Sequence, residues 1–177
     1  ISDKKKGGEL YKKLRRKKKY KSRCKPKDNR GQLKECKSIK VRPKIVEEKS
    51  RIGDLEVDLI LGANHRGAIL TINDRKSGYA WLKLLKSKDA NQVSEKIIKA
   101  LRPYKEYIHT ITSDNGKEFS NHKKISEKLN IDFYFAEPYS SWQRGANENL
   151  NGLIRQYFPK KTNFEQLSWR EVKFVEN

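Results

Sequence analysis

At 177 residues with a hydrophobic fraction of 34%, the chain has room for one domain of ordinary size with a modest core, plus an appendage. A net charge of +20 and a pI near 9.9 exceed what solubility requires and point to a polyanionic partner, nucleic acid first. No apolar run is long enough to span a bilayer and the N-terminal lysines precede no signal-like apolar segment, which argues against a helical membrane protein and predicts a soluble intracellular one.

The charge is uneven. Residues 1–51 hold 22 Lys or Arg against 6 Asp or Glu, a net +16, whereas the remainder holds 20 against 16, a net +4. Broken by Gly7-Gly8, Pro26, Gly31 and Pro43, this first segment predicts a basic arm, partly disordered, with one short helix near Glu9 to Lys19. Lys12, Lys13, Arg15, Arg16, Lys17, Lys18 and Lys19 are its densest cluster, suited to replacing phosphate counterions. Cys24 and Cys36 have no histidine near them, so a four-ligand zinc site within the chain is not expected. They read as reduced thiols, with a disulfide as the alternative.

After Arg51 the texture changes. Leu55 to Leu61, Ala68 to Ile72 and Tyr79 to Leu85 are short apolar or alternating runs separated by turn residues, and they predict three consecutive antiparallel strands. Asp89 with Gln92 opens a helix whose stripe is Ala90, Val93, Ile97 and Leu101 and which Pro103 stops. A strand at Tyr107 to Thr112, a helix from about Lys117 to Leu129, a strand at Asp132 to Phe135 and a last helix carrying Leu150, Leu153, Ile154, Tyr157 and Phe158 complete the order βββαβαβα. That order predicts one α/β domain with a mixed sheet over residues 52–177, preceded by the basic arm at 1–51.

Three carboxylates stand out. In the first strand, period two puts Asp54, Glu56 and Asp58 on one face and Leu55, Val57, Leu59 and Leu61 on the other. An exposed strand edge would explain this, except that Asp58 lies in the most apolar part of the run, where an unpaired charge is costly. Asp114, in S-D-N-G, is an ordinary turn residue by itself. On the last helix Arg144, Glu148, Asn151 and Arg155 share a face opposite the apolar stripe, which is either simply solvated or suited to a phosphate backbone and a metal. Three acids drawn from distant parts of a chain, with 33 residues between Asp114 and Glu148, can hold two divalent cations that clamp an in-line phosphoryl displacement.

R-I-G-D-L-E-V-D-L-I, S-D-N-G-K-E-F and Y-S-S-W-Q-R-G-A-N-E-N-L-N-G-L-I-R-Q-Y-F-P-K together resemble the three acidic motifs of the insertion-sequence-thirty-type bacterial transposases. These belong to the DDE transposase and retroviral integrase superfamily, and the resemblance implies an RNase H-like catalytic core. Carried over by position, it implies a triad of Asp58, Asp114 and Glu148 holding Mg²⁺ or Mn²⁺, two ions per site. It further implies cleavage and strand transfer at insertion-sequence ends, double-stranded DNA as transposon end and target, a homo-oligomeric active complex and a place at the bacterial nucleoid. The chain departs from the family at Leu55 and Val57, where Trp and Gly are usual. Starting at Ile1 without any Met and stopping at Asn177, it reads as a fragment lacking the family's N-terminal helix-turn-helix and its closing helical segment. An inactive remnant that only binds DNA is the alternative reading, and a basic RNA-binding protein is a third that leaves the triad unexplained.

Beside the triad, Lys117, Trp142, Gln143, Arg144, Asn151 and Arg155 are the candidate DNA contacts, with Trp142 equally readable as a packing plug. Glu118 reads as an acid near the site or a helix N-terminal residue. Trp81 and Trp169 read as core or surface packing; His65, His109 and His122 are isolated and not expected to be ligands, His109 reading as a strand residue.

Overall fold

The computed structural model describes Glu9, Leu33, residues 35–138 and residues 140–176, with the side chains of Ser141 and Trp142 left out. The expected helix near Glu9 to Lys19, the Lys12–Lys19 cluster and Cys24 lie outside the described residues. The compact unit that carries the fold spans Gly31–Asn177.

Its centre is a six-stranded mixed sheet. In chain order the strands are β1 (Lys37–Ser38), β2 (Asp54–Leu61), β3 (Ala68–Asp74), β4 (Ala80–Leu85), β5 (Thr110–Ser113) and β6 (Asp132–Phe135), and their spatial order is β1-β6-β5-β2-β3-β4. The β2–β3–β4 meander is antiparallel, as its alternation and turn residues predict, whereas β5 joins β2, β6 joins β5 and β1 joins β6 in parallel. Parallel neighbours require crossovers, and the chain supplies them with α2 (Ala90–Leu101) and α3 (His122–Leu129), after the single turn α1 (Lys44–Glu47). The last two helices are α4 (Gly145–Tyr157) and α5 (Trp169–Glu176).

The sheet divides two cores. Leu55, Val57 and Ile111 on one face pack with Val93, Ile97 and Leu101 of α2 and with Ile125 and Leu129 of α3. On the other, Ile60, Ile69 and Leu82 meet Ile154 and Phe158 from α4, Phe164 and Val172. Period two along β2 therefore sends Leu55 and Val57 to the first core and Glu56, Asp58 and Ile60 toward α4.

Local signals account for most boundaries. Asp89 caps α2 by accepting from Asn91 N–H at 3.0 Å and Gln92 N–H at 3.2 Å. Asn130 ends α3 in the left-handed region at φ 56°. Two expectations differ in detail. Pro103 opens a 3-10 turn over Arg102–Tyr107 that delays β5 to Thr110, and the helix expected from Lys117 splits into a 3-10 turn at Lys117–Phe119 and α3. Ile154 in α4 and Phe158 just after it are buried as expected, but Leu153 and Tyr157 are exposed, because the inward face is set by polar contacts to β2.

Gly53 fixes where β2 begins. Its φ is +97°, and a Cβ there would lie 1.8 Å from the Tyr107 carbonyl oxygen. Its own carbonyl accepts from His109 N–H at 2.8 Å, which fits His109 as a backbone partner and sets Asp54 opposite Thr110.

Candidate active site

β2 is an interior strand, so its three carboxylates are not an exposed edge. They meet three different surroundings. Asp54 is buried and satisfied by Arg51, at 2.8 and 3.1 Å, and by the Thr110 hydroxyl at 2.8 Å. Glu56, wholly buried, has Arg75 Nε 3.3 Å from one oxygen and Asn147 N–H donating to the other at 3.1 Å. Burial pushes its carboxyl above the ordinary glutamate range, and Arg75, the Asn147 N–H, Arg42 and Arg144 only partly offset that.

Asp58 is the one that opens toward solvent, with 22% of its side chain exposed. Its Oδ1 accepts from Leu59 N–H at 2.9 Å and its Oδ2 from Asn151 Nδ2 at 2.9 Å, while Thr71 bonds both the Asn151 side chain and the Asp58 carbonyl. Burial raises its pKa, Arg144 opposes the rise, and the negative charge of Asp114 adds to it.

Asp114 serves both readings of its motif. Its Oδ1 accepts from Gly116 N–H at 3.0 Å, which forms the turn, and Asn115 Nδ2 anchors that turn to the Ala136 carbonyl at 2.6 Å. Its Oδ2 faces Arg144 Nη2 at 3.6 Å, and Arg144 Nη1 lies 3.4 Å from Asp58 Oδ2. One guanidinium thus spans two acids that are distant in sequence.

The placement of α4 follows from matched repeats. Asn147 N–H reaches Glu56, Asn151 reaches Asp58, and Arg155 Nη2 donates to the Leu61 carbonyl at 2.8 Å. Four helical residues advance about 6 Å and two strand residues about 6.7 Å, so a helix running alongside β2 can engage alternate strand positions with every fourth residue. Glu148 is exposed, in the first turn between Arg144 and Asn151, about 60° around the axis from Asn151. Among the described residues no group of three or more His, Cys, Asp or Glu side chains is placed to hold a metal ion.

Other candidates are placed as follows. Lys117 is exposed. Gln143 Oε1 accepts from Glu137 N–H at 2.9 Å and ties the loop ahead of α4. Arg155 also donates to the Phe158 and Pro159 carbonyls and lies over the Phe164 ring, so its guanidinium fastens the end of α4 instead of facing outward. His122 is buried, edge-on to Phe135, in keeping with packing. Trp81 packs edge-on against Tyr79 and at a tilt against Tyr104, and Trp169 is exposed. Sequence reasoning missed Arg42 and Arg75. Arg42, read as part of the basic arm, is buried and donates to Thr112 at 2.8 Å and to Glu47; Arg75, read as a turn residue, bridges Glu56 and Glu47. Ile39, Val41, Ile45 and Val46, apolar residues interrupting the lysines, were the available signal.

A six-stranded mixed sheet flanked by helices is the RNase H-like fold of integrase catalytic cores. The catalytic core domain of BIV integrase aligns with 70% of the chain and 80% of its own length at a TM-score of 0.52 and 19% identity. The simian T-cell lymphotropic virus intasome structure covers 71% of the chain at a TM-score of 0.57 and 16% identity. No protein-family model matches. By sequence the chain is 51% identical over 176 residues, 99% of its length, to the transposase for insertion sequence element IS4351 of Bacteroides fragilis. It is 38% identical over 138 residues, 77% of its length, to the transposase InsI for insertion sequence element IS30A of Escherichia coli K12. The chain belongs with these insertion-sequence transposases of the insertion-sequence-thirty type. It spans about half the length of the first of these relatives, 54%, and 36% of the second.

Proposed function

We propose that this chain carries the phosphodiester chemistry of a DNA transposase, cleaving DNA at insertion-sequence ends and joining the freed 3′-hydroxyl to target DNA. The observation that carries the reading is the convergence of Asp58 and Asp114 on one guanidinium, at the mouth of an integrase-like fold. Two carboxylates that need a shared positive charge are a hard-oxygen donor set that fits a divalent cation. Asp58 and Asp114 would hold it, and Glu148, from the first turn of α4, would complete the set. Mg²⁺ or Mn²⁺, two ions per site, would supply charge stabilisation at the scissile phosphate and an activated oxygen nucleophile.

The protein's own groups do the positioning. Leu59 N–H and Asn151 hold the Asp58 carboxylate in one orientation, and the Asn115-Gly116 turn aims Asp114 from the end of β5. Lys117 and the cluster Lys12, Lys13, Arg15, Arg16, Lys17, Lys18 and Lys19 would neutralise DNA phosphates, with Trp142 and Arg144 at the DNA end. Gln143, Asn151 and Arg155 are engaged within the protein and act by positioning. The working complex would hold more than one copy, at the bacterial nucleoid. Among the described residues no helix is long and apolar enough to cross a membrane.

The test is Mg²⁺-dependent cleavage and strand transfer on duplexes carrying the element's ends. Losing a metal ligand removes several kcal/mol of transition-state stabilisation, so Asp114→Asn should be slower by roughly a thousandfold or more while binding DNA about as well. An Asp114→Asn protein that still cleaves would end this reading.

A further inference from the structure

Residues 39–49 pack beside the N-terminus of α4 around a cavity of about 470 Å³. Lys40, Arg42, Lys44, Lys49 and Arg75 line it against a single acid, Glu47. Lys40 is tied to Glu137 at 2.6 Å, and Glu47 is shared by Arg42 and Arg75. Lys44 and Lys49 are exposed and have no ion pair among the described residues.

The two arginines are the unusual feature. The Arg42 side chain is wholly buried and that of Arg75 is 6% exposed, yet Arg42 Nε and Arg75 Nη1 have no hydrogen-bond partner among the described residues. Buried guanidinium donors normally find acceptors, and leaving them unmet costs free energy. Gly145 and Ala146 bring the start of α4 to the same cavity, and no side chain caps that helix. A helix N-terminus favours negative charge, and guanidinium groups match phosphate oxygens. Lys44, Lys49 and the start of α4 give the cavity a positive lining that suits an anion and not a cation.

We propose that this cavity is a phosphate-binding site, and that it seats a backbone phosphate of the DNA strand beside the one that is cut. Glu56 links it to the acids: Arg75 contacts one of its oxygens, Asn147 N–H of α4 the other, and Asp58 lies two residues further along β2, roughly 7 Å. A strand gripped here would be held in register with the carboxylates. The strand assignment rests on the reading that the chain works on DNA; the phosphate site does not.

The experiment follows the amide resonances of Gly145 and Ala146 in the full chain, without divalent metal, during titration with inorganic phosphate and with duplex DNA. Wild type is compared with Lys44→Gln/Lys49→Gln, two exposed changes whose folding is checked by melting. Both titrants should give saturable shifts, DNA at lower concentration, and the double variant should weaken both. Its slope of log affinity against log salt for DNA should shrink by about 1 to 2. Saturation by phosphate without response to DNA upholds the site and makes a small phosphorylated ligand its occupant. No saturable shift with either titrant, or a variant matching wild type in shift and slope, overturns the proposal. Because no turnover is measured, its failure is distinguishable from failure of the catalytic reading.

Discussion

Replacing Arg144 with alanine isolates the contact on which the candidate site depends. Its guanidinium, 14% exposed, stands 3.4 Å from Asp58 and 3.6 Å from Asp114. At an effective dielectric near 20, each contact carries a gross Coulomb energy of about 4–5 kcal/mol. Much of that is offset by desolvation, and Asp114 is 41% exposed, so its share is screened. The net loss in metal-free protein should be about 2 kcal/mol, because the half-buried Asp58 is left without a counter-charge. For a chain of this size that lowers Tm by roughly 4–8 °C. Two further melts separate charge compensation from lost packing. Asp58→Asn in the Arg144→Ala background should recover about half of the loss, and millimolar Mn²⁺ should raise the Tm of Arg144→Ala more than that of wild type. An unchanged Tm in Arg144→Ala, or losses that simply add in the double variant, would refute the idea that the guanidinium balances the two acids.

Gly53→Ala should destabilise the fold by about 3 kcal/mol or more, since its Cβ would meet a backbone carbonyl 1.8 Å away at φ +97°, where neither group can yield; urea melts will show it. Glu176 docks α5 on the sheet by accepting from Leu82 N–H at 2.7 Å and Lys83 Nζ at 2.9 Å, and Glu176→Gln should cost about 2 kcal/mol at pH 7. Burial alone would raise the Glu176 pKa, but the hydrogen bonds from Lys173, Leu82 and Lys83 outweigh it and hold the pKa below the ordinary 4.5. A depressed carboxylate stabilises above its unfolded pKa and loses that contribution as pH falls through the folded one, so the gap between wild type and variant should close below pH 4.5. Calorimetric titration with Mn²⁺ should give saturable binding to wild type that Asp58→Asn abolishes; equal binding by the variant would place the cation elsewhere.

The meander was legible because its evidence is local. Alternation in Leu55 to Leu61 and Ala68 to Ile72, with turn residues between, leaves few other ways to bury those faces. The helix after Asp89 was marked by its own cap. What was not legible is the edge of the sheet. β1 is two residues long in a lysine-rich tract, and it is held by pairing with β6 across 95 residues, a partner no local pattern names. The same contact order hid Arg42, whose burial depends on Thr112 and Glu47 rather than on its neighbours in sequence.

The helix face of Arg144, Glu148, Asn151 and Arg155 shows where periodicity stops being informative. Spacing alone groups the four on one side and makes that side solvent-facing, because all are polar. The direction reverses once β2 presents carboxylates and a carbonyl to be satisfied: Asn151 and Arg144 answer Asp58, Arg155 answers Leu61, and Leu153 and Tyr157 are turned outward. A hydrophobic stripe predicts burial only where the facing surface is also apolar. Part of the surface facing α4 is carboxylate, Glu56 and Asp58, so polar residues at a four-residue repeat turn inward there. Glu148 lies one residue out of that repeat and is exposed, and an acid gains nothing from a strand that already carries Glu56 and Asp58.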